Sequence, residues 1–157
     1  MTRKEIFSPK EPEIIPHELI ISKYQEIAIE REKVGTSEKL IPQIRNLRKI
    51  AINQNEHDIA IQLFQEEFLC AQHMVMEERS KGLINSNKLR AAYGPVFMNI
   101  SVTGMQQYQE EHQADISPGI KARNFRFMGR FADHQHQYKK SEKLYRQGLE
   151  YFDSQTE

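Results

Sequence analysis

Apolar residues recur every three to four positions along most of this chain, and each run ends at a polar or Gly/Pro break. That periodicity predicts helices, and no alternating strand pattern competes with it. Leu19, Ile20, Tyr24, Ile27 and Ala28 trace a first stripe that ends before Gly35. Thr36-Ser37 supplies an N-cap for a second helix, whose core face is Ile41, Ile44, Leu47, Ala51 and Ile52. Pro42 is expected in its first turn, where a missing amide is tolerated. Asn53 to Glu56 forms a turn, and Ala60, Ile61, Phe64, Phe68, Ala71 and Val75 give the longest stripe, to about Arg79. A further helix starts near Ser86 with Leu89, Tyr93, Val96, Phe97 and Ile100 on one face. Gly94-Pro95 inside it predicts a kink or a division, with Met105, Tyr108 and His112 on a second segment. Ser117-Pro118 reads as an N-cap with proline at the first helical position. Residues 1–16 carry Pro9, Pro12 and Pro16 among charges and are expected to be an extended or disordered arm.

Near the C-terminus, Phe125, Met128 and Ala132 share one helix face, His134-Gln135-His136-Gln137 breaks it, and Tyr138, Ser141, Tyr145 and Gly148 mark a second helix. Gly129, Ser141 and Gly148 are small where two helix backbones would approach closely. The stretch resembles a tetratricopeptide repeat, with Phe125, Met128 and Gly129 at the Trp, Leu and Gly positions and Ser141 and Tyr145 at the Ala and Phe positions. A second match runs from Ile44 and Leu47 through Ala51 to Ala60 and Phe64, with Arg48 in place of the Gly and Glu67 in place of the later small residue. The equivalent Ala60 and Ser141 stand 81 positions apart (141 − 60), more than two standard repeats. The expected fold is therefore all-α: antiparallel helical hairpins, six to seven helices, as a tetratricopeptide-like right-handed superhelix or a compact bundle. Residues 17–157 would form one domain, with repeat-like pairs near 40–79 and 120–153 and a longer helical insertion at 84–115.

Charge narrows the function. Lys+Arg and Asp+Glu balance at 22 each, so no whole-chain field draws the protein to nucleic acid or to an anionic membrane. No apolar run approaches the length of a membrane span. Cys70 is the single cysteine, which excludes an internal disulfide framework and fits a reducing, cytoplasmic setting. Arg123, Arg126 and Arg130 fall at i, i+3 and i+7, on one helix face, and Arg45 and Lys49 at i, i+4 on the first helix of the earlier pair. The tetratricopeptide resemblance implies that such first helices line a groove and that these five cations hold the carboxylates of a peptide. A guanidinium pairs with a carboxylate through two parallel hydrogen bonds, which suits that task. The competing expectation is that these cations are solvated or pair internally with the acids between Glu56 and Glu78, a stretch without Lys or Arg. Phe127 and Phe131, partly off the Phe125/Met128 face, either pack a neighbouring helix or form an apolar patch for the partner.

Chemistry is hard to find. No nucleophile elbow, phosphate loop or dinucleotide fingerprint occurs, and no His-Glu-x-x-His or Glu-x-x-His. His134 and His136 point apart at i, i+2, and His73 with Glu77 is a lone i, i+4 pair. The doubled acids Glu66-Glu67, Glu77-Glu78 and Glu110-Glu111 diverge by about 100° on a helix and read as solvated faces. Cys70, among Phe68, Leu69 and Ala71, is expected to be buried and inert. The expectation is a non-catalytic protein–protein interaction module with no cofactor, metal or catalytic residue, binding an acidic or carboxylate-bearing peptide through Arg45, Lys49, Arg123, Arg126, Arg130, Phe127 and Phe131. An RNA-binding helical protein is the alternative, since aromatics interleave with basic residues from Lys121 to Arg146. A small helical enzyme is the third reading.

Overall fold

The computed structural model describes residues 13–33, 35–80 and 88–153. Those residues form six α-helices and no strand: α1 (His17–Arg31), α2 (Ser37–Asn53), α3 (His57–Ser80), α4 (Lys88–Glu111), α5 (Pro118–His134) and α6 (Tyr138–Asp153). A short 3-10 turn, Gln113–Asp115, lies between α4 and α5. Among the described residues no helix is long and apolar enough to cross a membrane. Residues 1–12 of the expected arm lie outside the described residues, and 13–16 are irregular. Ile15 in that segment is buried, and the Gln54 side chain brackets its backbone, accepting from its N–H (2.9 Å) and donating to its carbonyl (2.7 Å).

Each helix packs on its neighbour in sequence, and α1, α3 and α5 also touch in a row. α3 stands at the middle, in contact with α1, α2, α4 and α5. Steps of about 100° per residue distribute its side chains among them. Glu66 reaches Arg31 of α1, and Glu67 reaches Arg45 and Arg48 of α2. Ala71 and Val75 lie against Gly94 of α4, and Phe64 against Gly104. Phe68, Gln65 and Gln72 meet Phe127, Asn124 and Arg130 of α5. All six residues of the predicted α3 stripe are buried. A chain of amides ties three helices together inside: Gln65 donates to Asn124 (2.5 Å), which donates to Gln109 of α4 (2.6 Å). Burying such groups is tolerable because each finds a partner.

The α2–α3 and α5–α6 hairpins turn in the same way. Asn55 and His136 both take left-handed backbone, with φ of 59° and 60°. Glu56 N–H donates to Ala51 carbonyl in the first turn (2.8 Å), and Gln137 N–H to Ala132 carbonyl in the second (2.9 Å). Ala60 N–H to Glu56 and Ser141 N–H to Gln137 then open the second helix of each pair, both at 2.9 Å. Every one of these equivalences keeps the offset between Ala60 and Ser141.

That alignment accounts for the two departures in the first hairpin. In the second, Gly129 lets the Tyr145 ring lie against its backbone, where a Cβ would stand 2.8 Å from the ring. Gly148 sits over the Ala122 carbonyl and Phe125. In the first, Arg48 occupies the Gly129 position and stacks its guanidinium on the Phe64 ring (4.1 Å to the centroid). Glu67 occupies the Gly148 position and pairs with Arg48. The two exceptions are one interaction, a glycine pair replaced by an ion pair.

Several local expectations change. Thr36 caps α2 without a side-chain bond to it. Its hydroxyl instead donates back to the Glu30 and Lys33 carbonyls, and Ser37 is the first helical residue. Pro42 lies in the second turn, on the exposed side, and Ile52 is exposed while Leu40 and Ile50 are buried. α4 runs undivided through Gly94-Pro95. Its buried face is Met98, Ser101, Val102, Met105, Tyr108 and Gln109, whereas Val96 and Ile100 are exposed. Glu66 and Glu67 are buried, not solvated.

Candidate functional site

The basic residues fall on two surfaces. α2 meets α3 through Glu67 and Phe64, and α5 meets it through Gln65, Phe68 and Gln72, on a different side of the same helix. Arg45 donates from Nε to Glu67 (2.9 Å) and lies over the Phe97 ring of α4, so it is occupied internally. Lys49 is exposed on α2. The five cations therefore do not converge in one groove, and the row that runs together is α1, α3 and α5 rather than α2 with α5.

What remains together is the α5 face. Arg123 and Arg126 are exposed, and neither pairs with a carboxylate among the described residues. Arg130 is half-buried over the Phe127 ring (5.4 Å) and donates weakly to the Gln72 side-chain carbonyl at 3.5 Å. The Arg123 charge also acts on Tyr24 of α1. The Tyr24 hydroxyl pKa is raised by burial and by Glu66, with Arg123 and Arg31 pulling the other way. The helical step leaves Gln62, Leu69, His73 and Met76 on the side of α3 between its α1-facing and α5-facing residues. The buried carboxylates of α3 serve other helices: Glu66 pairs with Arg31 of α1, and Glu67 with Arg45 and Arg48 of α2.

Phe127 and Phe131 are not surface anchors. Phe127 is buried with its ring edge-on to Phe68 at 5.5 Å, and Phe131 meets the same ring at 6.5 Å. Of the two alternatives for these residues, packing on a neighbouring helix is the one observed.

Cys70 is fully buried, and burial first, then the Glu66 charge, push its thiol up to about 12. The folded value stands above the ordinary 9.0, so the fold favours the protonated form. That contribution is complete below pH 9 and is lost as pH climbs toward 12. The native thiol should thus fail to react with an aromatic disulfide near neutral pH and react promptly in urea. Fast native labelling would contradict the burial.

The histidines behave differently from their spacing. His134 accepts from Gln72 (3.2 Å), and His136 contacts the Tyr138 hydroxyl (2.9 Å). His57, His112 and Asp115 come together at the end of the α3–α4 pair, with ligand-capable atoms all within 4.8 Å of one another. Only the His112-x-x-Asp115 spacing hints at this locally, because His57 is brought in from another helix. Beside them, the Tyr108 hydroxyl pKa is raised by burial and then by Asp115 and Glu111.

No family model, curated protein or solved structure matches the chain.

Proposed function

We propose that this domain is a tetratricopeptide-like interaction module, without chemistry of its own, that binds an acidic or carboxylate-bearing peptide along α5. The observation that carries this reading is the trio Arg123, Arg126 and Arg130, aligned on one face and left without a carboxylate while the buried acids of α3 serve arginines of α1 and α2. Three guanidiniums on adjacent turns repel one another, and an anionic ligand relieves that repulsion while accepting paired hydrogen bonds. Lys49 and Arg45, on the other surface, are outside this site. The hairpin geometry shared by α2–α3 and α5–α6 supports the repeat-like reading. The buried, lone Cys70 fits a reducing, cytoplasmic setting.

The aromatic residues favour peptide over RNA. Phe125 stacks on Tyr151 (5.4 Å), Phe127 and Phe131 pack on Phe68, and Tyr145 covers Gly129, so these rings are engaged inside the fold rather than offered to bases. The test is fluorescence anisotropy with a glutamate-rich peptide and with a single-stranded RNA, using wild type and the R123A/R126A/R130A variant, both checked by circular dichroism. Peptide binding should weaken by about tenfold or more in the variant, each charged contact being worth roughly 1.5–3 kcal/mol when well made. Tighter binding of RNA than peptide, with a steep salt dependence, would favour the nucleic-acid reading instead. Equal peptide binding by both proteins would remove the α5 face from consideration.

A further inference from the structure

We infer that His57, His112 and Asp115 form a binding site for a divalent transition metal, of which zinc is the natural probe, clamping the α4–α5 connection onto the start of α3. His57 opens α3, His112 follows the last residue of α4, and Asp115 closes the 3-10 turn. The antiparallel α3–α4 pair brings these points to the same end of the fold. The two imidazoles stack with centroids 4.5 Å apart and planes 27° from parallel. His57 Nε2 stands 3.9 Å from Asp115 Oδ2.

That distance is too long for a hydrogen bond but suits two ligands of one ion. With metal bonds of about 2.0–2.2 Å, tetrahedral ligands lie roughly 3.3–3.5 Å apart, so the His57–Asp115 pair has about half an ångström to close. The cluster as a whole, whose ligand atoms lie within 4.8 Å of one another, has up to about an ångström more to close than that pair. The Tyr108 hydroxyl can also select the tautomer. His57 Nδ1 is 2.7 Å from the Tyr108 hydroxyl, and a neutral ring that donates there presents the Nε2 lone pair toward Asp115. A metal-binding histidine is commonly oriented in this way, by a hydrogen bond to its other ring nitrogen. The His112 side chain makes no hydrogen bond among the described residues, so its ring nitrogens are uncommitted.

The surroundings favour a cation as well. Neither residues 53–78 nor residues 91–120 contain a Lys or Arg, while Asp58 and Glu111 stand beside the ligands in sequence. Asp58 already fixes the same connection by accepting from Ser117 N–H (2.9 Å). His57 is largely buried and Asp115 largely exposed, so the site opens to solvent on one side and water can complete the coordination. Two imidazoles and a carboxylate, with no thiolate in the cluster, are a donor set suited to zinc.

The experiment is calorimetric titration of the chelator-treated full chain with zinc, paired with thermal unfolding. Wild type should bind one zinc per chain, with its midpoint rising by about 5 °C or more at saturation. H112Q and H57Q should weaken binding by about 100-fold and D115N by at least about tenfold. Y108F, which keeps the ring and removes the hydroxyl, should weaken it by about tenfold. Because Asp115 is exposed, D115N tests the site even if H57Q does not fold. Absence of zinc binding by folded wild type would overturn the inference. So would binding that survives H112Q and D115N unchanged, which would assign the zinc to His134 and His136 or to scattered histidines.

Discussion

Glu67→Ala lowers the unfolding free energy by about 3–5 kcal/mol, the range expected when one partner of a buried ion pair is removed. Glu67 is 0% exposed and holds two arginines at once, Arg45 and Arg48. Arg45 can turn to solvent, since 38% of its side chain is already exposed. Arg48 cannot: its side chain is 13% exposed and its guanidinium is stacked on Phe64. Truncating Glu67 leaves that charge desolvated, and the penalty is therefore mostly the stranded arginine. The R48A/E67A double variant should lose less than the two single losses combined, with a coupling of about 1–3 kcal/mol. Urea unfolding of the four proteins measures it, and strict additivity would show that the pair is not coupled.

Phe68→Ala costs a similar amount, about 3–5 kcal/mol, by opening a cavity where three aromatic rings meet. Phe68 is fully buried on α3 and packs in T-shaped contact with Phe127 and Phe131 of α5. The loss has two parts, the transfer of the ring's surface and the void left when the neighbours fail to collapse. F131A, at a partly buried position, should cost clearly less. Urea unfolding separates the two, and a loss below about 1 kcal/mol for F68A would mean that α5 does not rest on α3 as described.

The elements that were legible in the sequence share one property: their core faces are apolar and periodic. α3 is the clearest, with every predicted stripe residue buried. The α5–α6 hairpin was legible for a second reason: Gly148 falls where it meets the Ala122 backbone, Gly129 makes room for the Tyr145 ring, and the polar break falls at a left-handed turn. α4 misled because its buried face includes Ser101 and Gln109 while the β-branched Val96 and Ile100 face outward. Hydrophobic periodicity sees residue type, and a polar side chain satisfied inside the fold is invisible to it. The same limit applies to function. The i, i+3, i+7 spacing of Arg123, Arg126 and Arg130 did place them on one helix face. The acid-rich stretch from Glu56 to Glu78 did offer internal partners for cations, and Arg45 took one. Which helix each acid would serve was not legible, nor that His57 would meet His112 from more than 50 positions away.

The central placement of α3 also bears on how the chain reaches this arrangement. Every extensive helix contact joins elements that are adjacent or next but one along the chain. Contact order is consequently low, and little loop-closure entropy is lost before native contacts begin to compensate for it. A search of that kind favours α3 as the nucleus, with each flanking helix docking onto a surface already made by its near neighbours. Such an assembly route needs no long-range pairing to be found first.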